Sequence, residues 1–99
     1  MEQTIDELIA QRERQVMVHS YLYYELDSPI ISDWQWMMWA NELADLIKQY
    51  PKEFKASPLY KAYKKFDPAT GMGLYDKDRE WCDYKARQLL RLHKEKNIE

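Results

Sequence analysis

The stretch that decides the fold is YLYYELDSPIISDWQWMMW, residues 21–39, in which a proline turn separates two segments with helical patterning. Ser28 precedes Pro29, and a residue before proline is disfavoured in the helical conformation, so the first helix ends here. Ser32 stands three residues before a glutamine, which is the spacing of an N-terminal capping box. The stretch therefore predicts two helices joined by a short turn.

Apolar residues recur at helical spacing along the rest of the chain. Thr4 and Glu7 have capping-box spacing, and Ser57 followed by proline predicts the cap of a short helix. Two glycines in the segment DPATGMG indicate a loop before the last helix. The pattern predicts an all-α fold of three long helices and one short helix: residues 3–25, a second helix from the Ser32 cap to Tyr50, a short helix from Ser57, and residues 76–94.

The bulk composition predicts one small globular domain spanning residues 1–99. Apolar residues make up 45% and charged residues 32% of the chain, which is typical of folded domains. No apolar run approaches the ~18 residues of a membrane helix, and the first ten residues lack the signature of a secretory signal. Cys82 is the single cysteine, so no intrachain disulfide can form. We interpret the chain as soluble and cytoplasmic, with Cys82 as a core residue.

The net charge of −2 is unevenly distributed. Residues 1–50 contain three basic and nine acidic side chains, whereas residues 51–99 contain twelve basic and eight acidic ones. A chain of mixed sign lacks the basic face that nucleic-acid binding requires, so binding of nucleic acid by this chain alone is not expected. His19 and His93 have no second ligand at a suitable spacing, and no metal site is predicted.

The segment HSYLYYELDSPIISD resembles the small N-terminal helical subdomain, called Ia, of bacterial NAD-dependent DNA ligases. The resemblance covers about residues 5–58, whereas residues 59–99 resemble no part of these ligases. It implies that the first half of the fold is a ligase Ia-like helical pair. The positions that keep the family's pattern are His19, Tyr21, Tyr23, Tyr24, Asp27, Pro29, Ile31, Ser32 and Asp33.

In that family the subdomain closes over the nicotinamide mononucleotide (NMN) half of NAD. The resemblance implies stacking of the nicotinamide ring by Tyr23 with its neighbour Tyr24, and a polar anchor at Asp33. Trp36 replaces the family's second tyrosine and still offers a π face for stacking. Met37 replaces the second aspartate and supplies no carboxylate. The resemblance thus predicts weak binding of NMN or NAD by four candidate cofactor-binding residues: Tyr23, Tyr24, Asp33 and Trp36.

Ligase chemistry needs an adenylation domain with a Lys-x-Asp-Gly nucleophile motif, which this sequence lacks. The resemblance therefore predicts a non-catalytic module with no catalytic residues and no required cofactor. As a shortened, stand-alone relative, the chain looks like a protein of a phage or mobile element.

An alternative function follows from the apolar side chains that surround the start of the second helix. Five such side chains lie here: Trp34, Trp36, Met37, Met38 and Trp39. A small domain cannot bury all five on one helix face, so part of this surface should be exposed. Trp34, Met38 and Trp39 then predict an interface with a host or phage protein, with the nucleotide pocket vestigial. Residues 59–99 could instead fold back and cover this surface. The sequence leaves both possibilities open.

Overall fold

The structure is a computed structural model that describes residues 3–96, and over this range it is all-α, as predicted. Residues 1–2 and 97–99 of the predicted domain lie outside the described residues. In the described range, no helix combines the length and apolar character needed to cross a membrane. The α-helices are α1 (Ile5–Tyr24), α2 (Asp33–Gln49), α3 (Pro51–Lys55), α4 (Tyr60–Tyr63) and α5 (Arg79–Lys96), and a 3-10 turn spans Asp76–Asp78.

The predicted starts of α1 and α2 are confirmed by their capping hydrogen bonds. Thr4 Oγ1 accepts from the Glu7 backbone N–H at 3.2 Å, and the Glu7 carboxylate accepts from the Thr4 N–H at 3.0 Å. Ser32 Oγ accepts from the Gln35 N–H at 3.1 Å. Among the described residues the return bond from the Gln35 side chain is absent, so Ser32 acts as a simple N-cap.

The turn between α1 and α2 is sharp because Asp27 adopts a left-handed backbone conformation with φ of 48°. Aspartate is one of the few residues that tolerate this region. The N–H of Ser28 donates to the carbonyl of Leu22 at 2.9 Å and closes the end of the helix. The turn folds α2 back against α1, which brings the last turn of α1 beside the first turn of α2.

The core forms around α1, which contacts α2, α3 and α5. Its buried side chains meet buried residues of α2 and α5, including Leu43 and Cys82. Burial raises the pKa of the Cys82 thiol to about 12, as expected for an inert core residue. The Tyr21 hydroxyl of α1 donates to the Asp83 carboxylate of α5 at 2.8 Å, which fixes α5 to the side of α1.

The predicted cap at Ser57 is wrong. The Ser57 hydroxyl donates to the buried Glu13 carboxylate at 2.7 Å and does not cap a helix. The short helix α4 begins only at Tyr60 and has a single turn. The short helix α3 was not predicted: Pro51 ends α2 as expected but also occupies the first position of a new helix, where proline is favoured.

The loop between α4 and the 3-10 turn returns to the junction of α1 and α2. Its Gly71 is buried, and a Cβ at this position would lie 2.1 Å from Ser20 Oγ and 2.9 Å from Trp36 Cζ2. Only glycine allows this close backbone approach. The loop is therefore seated directly on the side chains that α1 and α2 present at their junction.

Candidate functional site

A cleft of about 250 Å³ lies at the junction of α1 and α2. The last two turns of α1, the turn after it and the first turn of α2 provide most of its lining, and Ala69 of the 67–73 loop also contributes. Its lining includes all four predicted cofactor-binding residues, Tyr23, Tyr24, Asp33 and Trp36. The fold thus brings an indole, a carboxylate and two phenol rings to one concavity, and we call it the aromatic cleft.

The two tyrosines are accessible from the cleft. Tyr23 is 48% exposed and Tyr24 is 37% exposed. Their ring centroids are 4.9 Å apart with the planes at 78°, the edge-to-face arrangement that aromatic pairs favour. The Tyr24 hydroxyl lies 3.5 Å from Thr70 Oγ1, so this ring borders the 67–73 loop.

Trp36 is a rigid part of the lining because its polar edge is bound to α1. The indole N–H donates to Ser20 Oγ at 3.1 Å, and the Ser20 hydroxyl donates to the carbonyl of Val16 at 2.6 Å. The Gly71 backbone also packs close to the indole, since a Cβ there would lie 2.9 Å from Trp36 Cζ2. These contacts use up the hydrogen-bonding capacity of the indole, which leaves its remaining apolar surface for the cleft.

Asp33 occupies the first turn of α2, where the helix dipole and free N–H groups favour a negative charge. Its side chain is exposed, and it forms no hydrogen bond or ion pair with any residue in the range 3–96. The carboxylate is therefore available to a ligand. Met37, one turn further along α2, is 51% exposed and also lines the cleft. The position of the family's second aspartate thus faces the same space but is apolar here.

His19 was not predicted as a site residue, yet it lines the cleft. Burial lowers its pKa to about 4, so the imidazole is neutral at physiological pH. Its Nδ1 is buried and has no hydrogen-bond partner in the described part of the chain. The ring packs 5.4 Å from that of Trp39. Neutral His19 keeps a positive charge out of the cleft.

Helical spacing could have revealed part of what the sequence reasoning missed. His19 and Ser20 lie four residues before Tyr23 and Tyr24, so each pair shares a face of α1. Ala69 carried no such signal, because its place at the cleft depends on how the distant loop folds back. Among the described residues, no group of three or more histidine, cysteine, aspartate or glutamate side chains comes together.

The predicted protein-interaction residues lie on other faces of α2. Trp34 is 65% exposed and Met38 is 50% exposed, so residues 59–96 do not cover them. Trp39 is half-buried against His19. The surface of α2 thus divides into one side that lines the aromatic cleft and another that exposes apolar side chains to solvent.

Residues 2–58 of the chain match a known protein family. The sequence model described as the DNA ligase-like, N-terminal NAD+-binding domain matches residues 2–58, more than half of the chain. The chain belongs to this family. Comparisons with curated proteins and with solved structures gave no match. The ligase-like match contains α1, α2 and α3 with all four predicted cofactor-binding residues.

The match does not extend over the whole aromatic cleft of this ligase-like domain. Ala69 and the contacts of Thr70 and Gly71 belong to residues 59–99, beyond the matched range. The match covers an NAD+-binding module and no adenylation domain. One residue of the cleft's lining, Ala69, thus comes from a segment that lies outside the matched domain.

Proposed function

We propose that the chain is a non-catalytic module that binds the NMN part of a nicotinamide nucleotide in the aromatic cleft. The observation that carries this proposal is the convergence of Tyr23, Tyr24, Asp33 and Trp36 on one open cavity. Membership of an NAD+-binding domain family supports the same class of ligand.

The chemistry of the cleft suits a nicotinamide ring. In its nucleotides the ring is a flat, positively charged pyridinium, which aromatic faces attract by stacking and by cation–π interaction. Tyr23 and Trp36 offer such faces, and the free Asp33 carboxylate adds a negative charge at the same site. His19 is neutral above about pH 4 and so does not repel the ring.

The size of the cleft favours part of the ligand over the whole dinucleotide. Pockets that enclose whole drug-sized ligands measure about 300–1,000 Å³. At about 250 Å³, the aromatic cleft accommodates the ring and its ribose, while any further groups extend outward. Met37 supplies no carboxylate, so the affinity is weaker than that of a site with two aspartates.

A titration with NMN and with NAD tests the proposal. We expect saturable quenching of tryptophan fluorescence and amide chemical-shift changes confined to the cleft, with similar affinity for the two ligands because both carry the same half. Asp33→Asn should weaken binding at least about tenfold, the value of a charge-assisted hydrogen bond. Asp45→Asn is the matched control, since Asp45 is an exposed aspartate of the same helix that does not line the cleft. Absence of any saturable change at millimolar NMN would reject the proposal.

A second candidate function is supported by the exposed apolar side of α2. In this alternative the chain binds a protein partner through Trp34, Met38 and Trp39, and the aromatic cleft is vestigial. The exposure of Trp34 and Met38 favours it, because exposed apolar surface is concentrated at interfaces. Affinity capture should then recover one dominant protein that Trp34→Ala and Trp39→Ala fail to retain, whereas Asp33→Asn retains it.

A further inference from the structure

A second cleft is lined in part by the 67–73 loop. It measures about 380 Å³ and combines three lysines with an apolar floor. The residues that define this lysine cleft are Lys61, Lys64, Lys65, Phe66, Met72 and Leu74.

The three lysines outnumber the acidic side chains in this lining and give it a net positive charge. None of them forms an ion pair with another residue in the range 3–96. Asp67 is the only acidic side chain in the lining, and its Oδ1 accepts from the Ala69 N–H within the turn. Three ammonium groups around a concave surface create a positive potential that attracts an anion, and lysine is a common partner of phosphate.

The lysine cleft and the aromatic cleft meet at one contact. Thr70 lines the lysine cleft, and its Oγ1 lies 3.5 Å from the hydroxyl of Tyr24, which lines the aromatic cleft. Ala69, the preceding residue, lines the aromatic cleft itself. The two clefts therefore adjoin where Thr70 meets Tyr24, and a group that leaves the aromatic cleft past this contact enters the lysine cleft.

We propose that the lysine cleft receives the phosphate of the nucleotide whose nicotinamide ring occupies the aromatic cleft. The inference rests on the proposed function and adds a specificity: the site takes a phosphorylated nicotinamide ribonucleoside in preference to the unphosphorylated one. The ring and ribose are held by α1 and α2, and the phosphate by the segment outside the matched family domain.

The test compares NMN with nicotinamide riboside, which lacks the phosphate. NMN should bind about tenfold more tightly than the riboside, and this preference should shrink as salt is added because exposed charges are screened. Lys64→Gln/Lys65→Gln should bring the affinity for NMN down to that for the riboside and leave riboside binding unchanged. Lys48→Gln/Lys52→Gln, which removes the same charge from exposed lysines outside both clefts, should preserve the preference.

The outcomes separate the two proposals. Equal affinity for NMN and the riboside would overturn the phosphate site and leave the proposed function intact. A preference for NMN that survives Lys64→Gln/Lys65→Gln, or that Lys48→Gln/Lys52→Gln also removes, would overturn the assignment to the lysine cleft. Failure of both ligands to bind the unsubstituted chain would reject the proposed function and with it the phosphate site. Circular dichroism of both double variants confirms that the comparison is made between folded proteins.

Discussion

Local sequence features determine the structure of one half of the molecule, whereas contacts between distant segments determine that of the other. Residues 3–58 form a helical pair whose starts are set by local caps at Thr4 and Ser32. Residues 59–96 contain a one-turn helix, a long loop and α5, and contacts with α1 and α2 fix their position. The difference teaches that the family's half supplies the candidate ligand-binding side chains, whereas the other half adds a lining residue, Ala69, and contacts that only the folded chain reveals.

The largest expected effect comes from breaking the closest contact between the halves. Gly71→Ala places a methyl group 2.1 Å from Ser20 Oγ and forces the loop away from Trp36. Overpacking of this kind costs about 1–3 kcal/mol, and we expect the upper end of that range because the neighbour is a buried side chain that is already hydrogen-bonded. Urea denaturation measures the loss of stability, and NMN affinity should fall with it.

Gly73→Asn is the control for Gly71→Ala, because it substitutes a glycine of the same loop without a close steric clash. Gly73 has φ of 78°, but a Cβ there meets nothing closer than 3.2 Å. Asparagine tolerates this conformation, so the cost should be below about 1 kcal/mol. If Gly73→Asn proves as damaging as Gly71→Ala, the contact of Gly71 with α1 and α2 does not explain the loss.

The next effect concerns the junction of the halves at Glu13. This side chain is fully buried in α1; it accepts from the Ser57 hydroxyl, and one carboxylate oxygen has no partner in the described residues. Burial raises its pKa to about 7. Between pH 4.5 and 7 the unfolded chain releases this proton while the folded chain retains it, so the contribution of Glu13 to stability falls as the pH rises.

Glu13→Gln should therefore stabilise the protein by about 2 kcal/mol at pH 8 and by much less at pH 4.5. The difference in unfolding free energy between variant and parent, measured by urea denaturation across this range, isolates Glu13 from His19. Taking the difference matters because the lowered pKa of His19 makes the stability of both proteins fall as the pH drops from 6.5 to 4. Glu80→Gln, on an exposed part of α5, is the matched control for removing a carboxylate. A constant effect of Glu13→Gln at all pH values would contradict the raised pKa.

A smaller effect is expected from adding a carboxylate to the aromatic cleft in the family's half of the chain. Met37→Asp restores a carboxylate to the aromatic cleft and should tighten NMN binding about tenfold, near the lower limit for a charge-assisted hydrogen bond because the position is half exposed. Calorimetric titration measures the change. Met38→Asp adds the same charge outside the cleft and should leave the affinity almost unchanged. Equal gains from the two variants would indicate a general charge effect on the cationic ring.

A modest effect on stability tests the attachment of α5 to α1. Tyr21→Phe removes the hydroxyl that donates to Asp83, a single hydrogen bond worth about 1 kcal/mol. A thermal unfolding curve should show a modest decrease in Tm, and NMN affinity should stay the same because this contact lies outside both clefts. A marked loss of NMN binding would show that α5 influences the ligand site.

The sequence predicted those features of the fold and of the candidate site that depend on local chemistry. The caps, the turn before Pro29 and the resemblance carried by Tyr23 to Asp33 were enough to anticipate the helical pair and four residues that line one cleft. The role of Ser57 was misread because its partner, Glu13, lies 44 positions earlier. Nothing in the local pattern reveals that Gly71 is seated on Trp36, since that contact also depends on distant chain segments.

The most direct test of the account locates the nicotinamide ring itself. Intermolecular nuclear Overhauser effects, measured on the chain saturated with NMN, report which side chains lie within about 5 Å of the ring protons, a distance within the 4.5–7 Å range of aromatic contacts. With the ring in the aromatic cleft, we expect effects to the ring protons of Tyr23 and Trp36. Effects to Trp34 and Met38 instead, or none at saturation, would contradict the account.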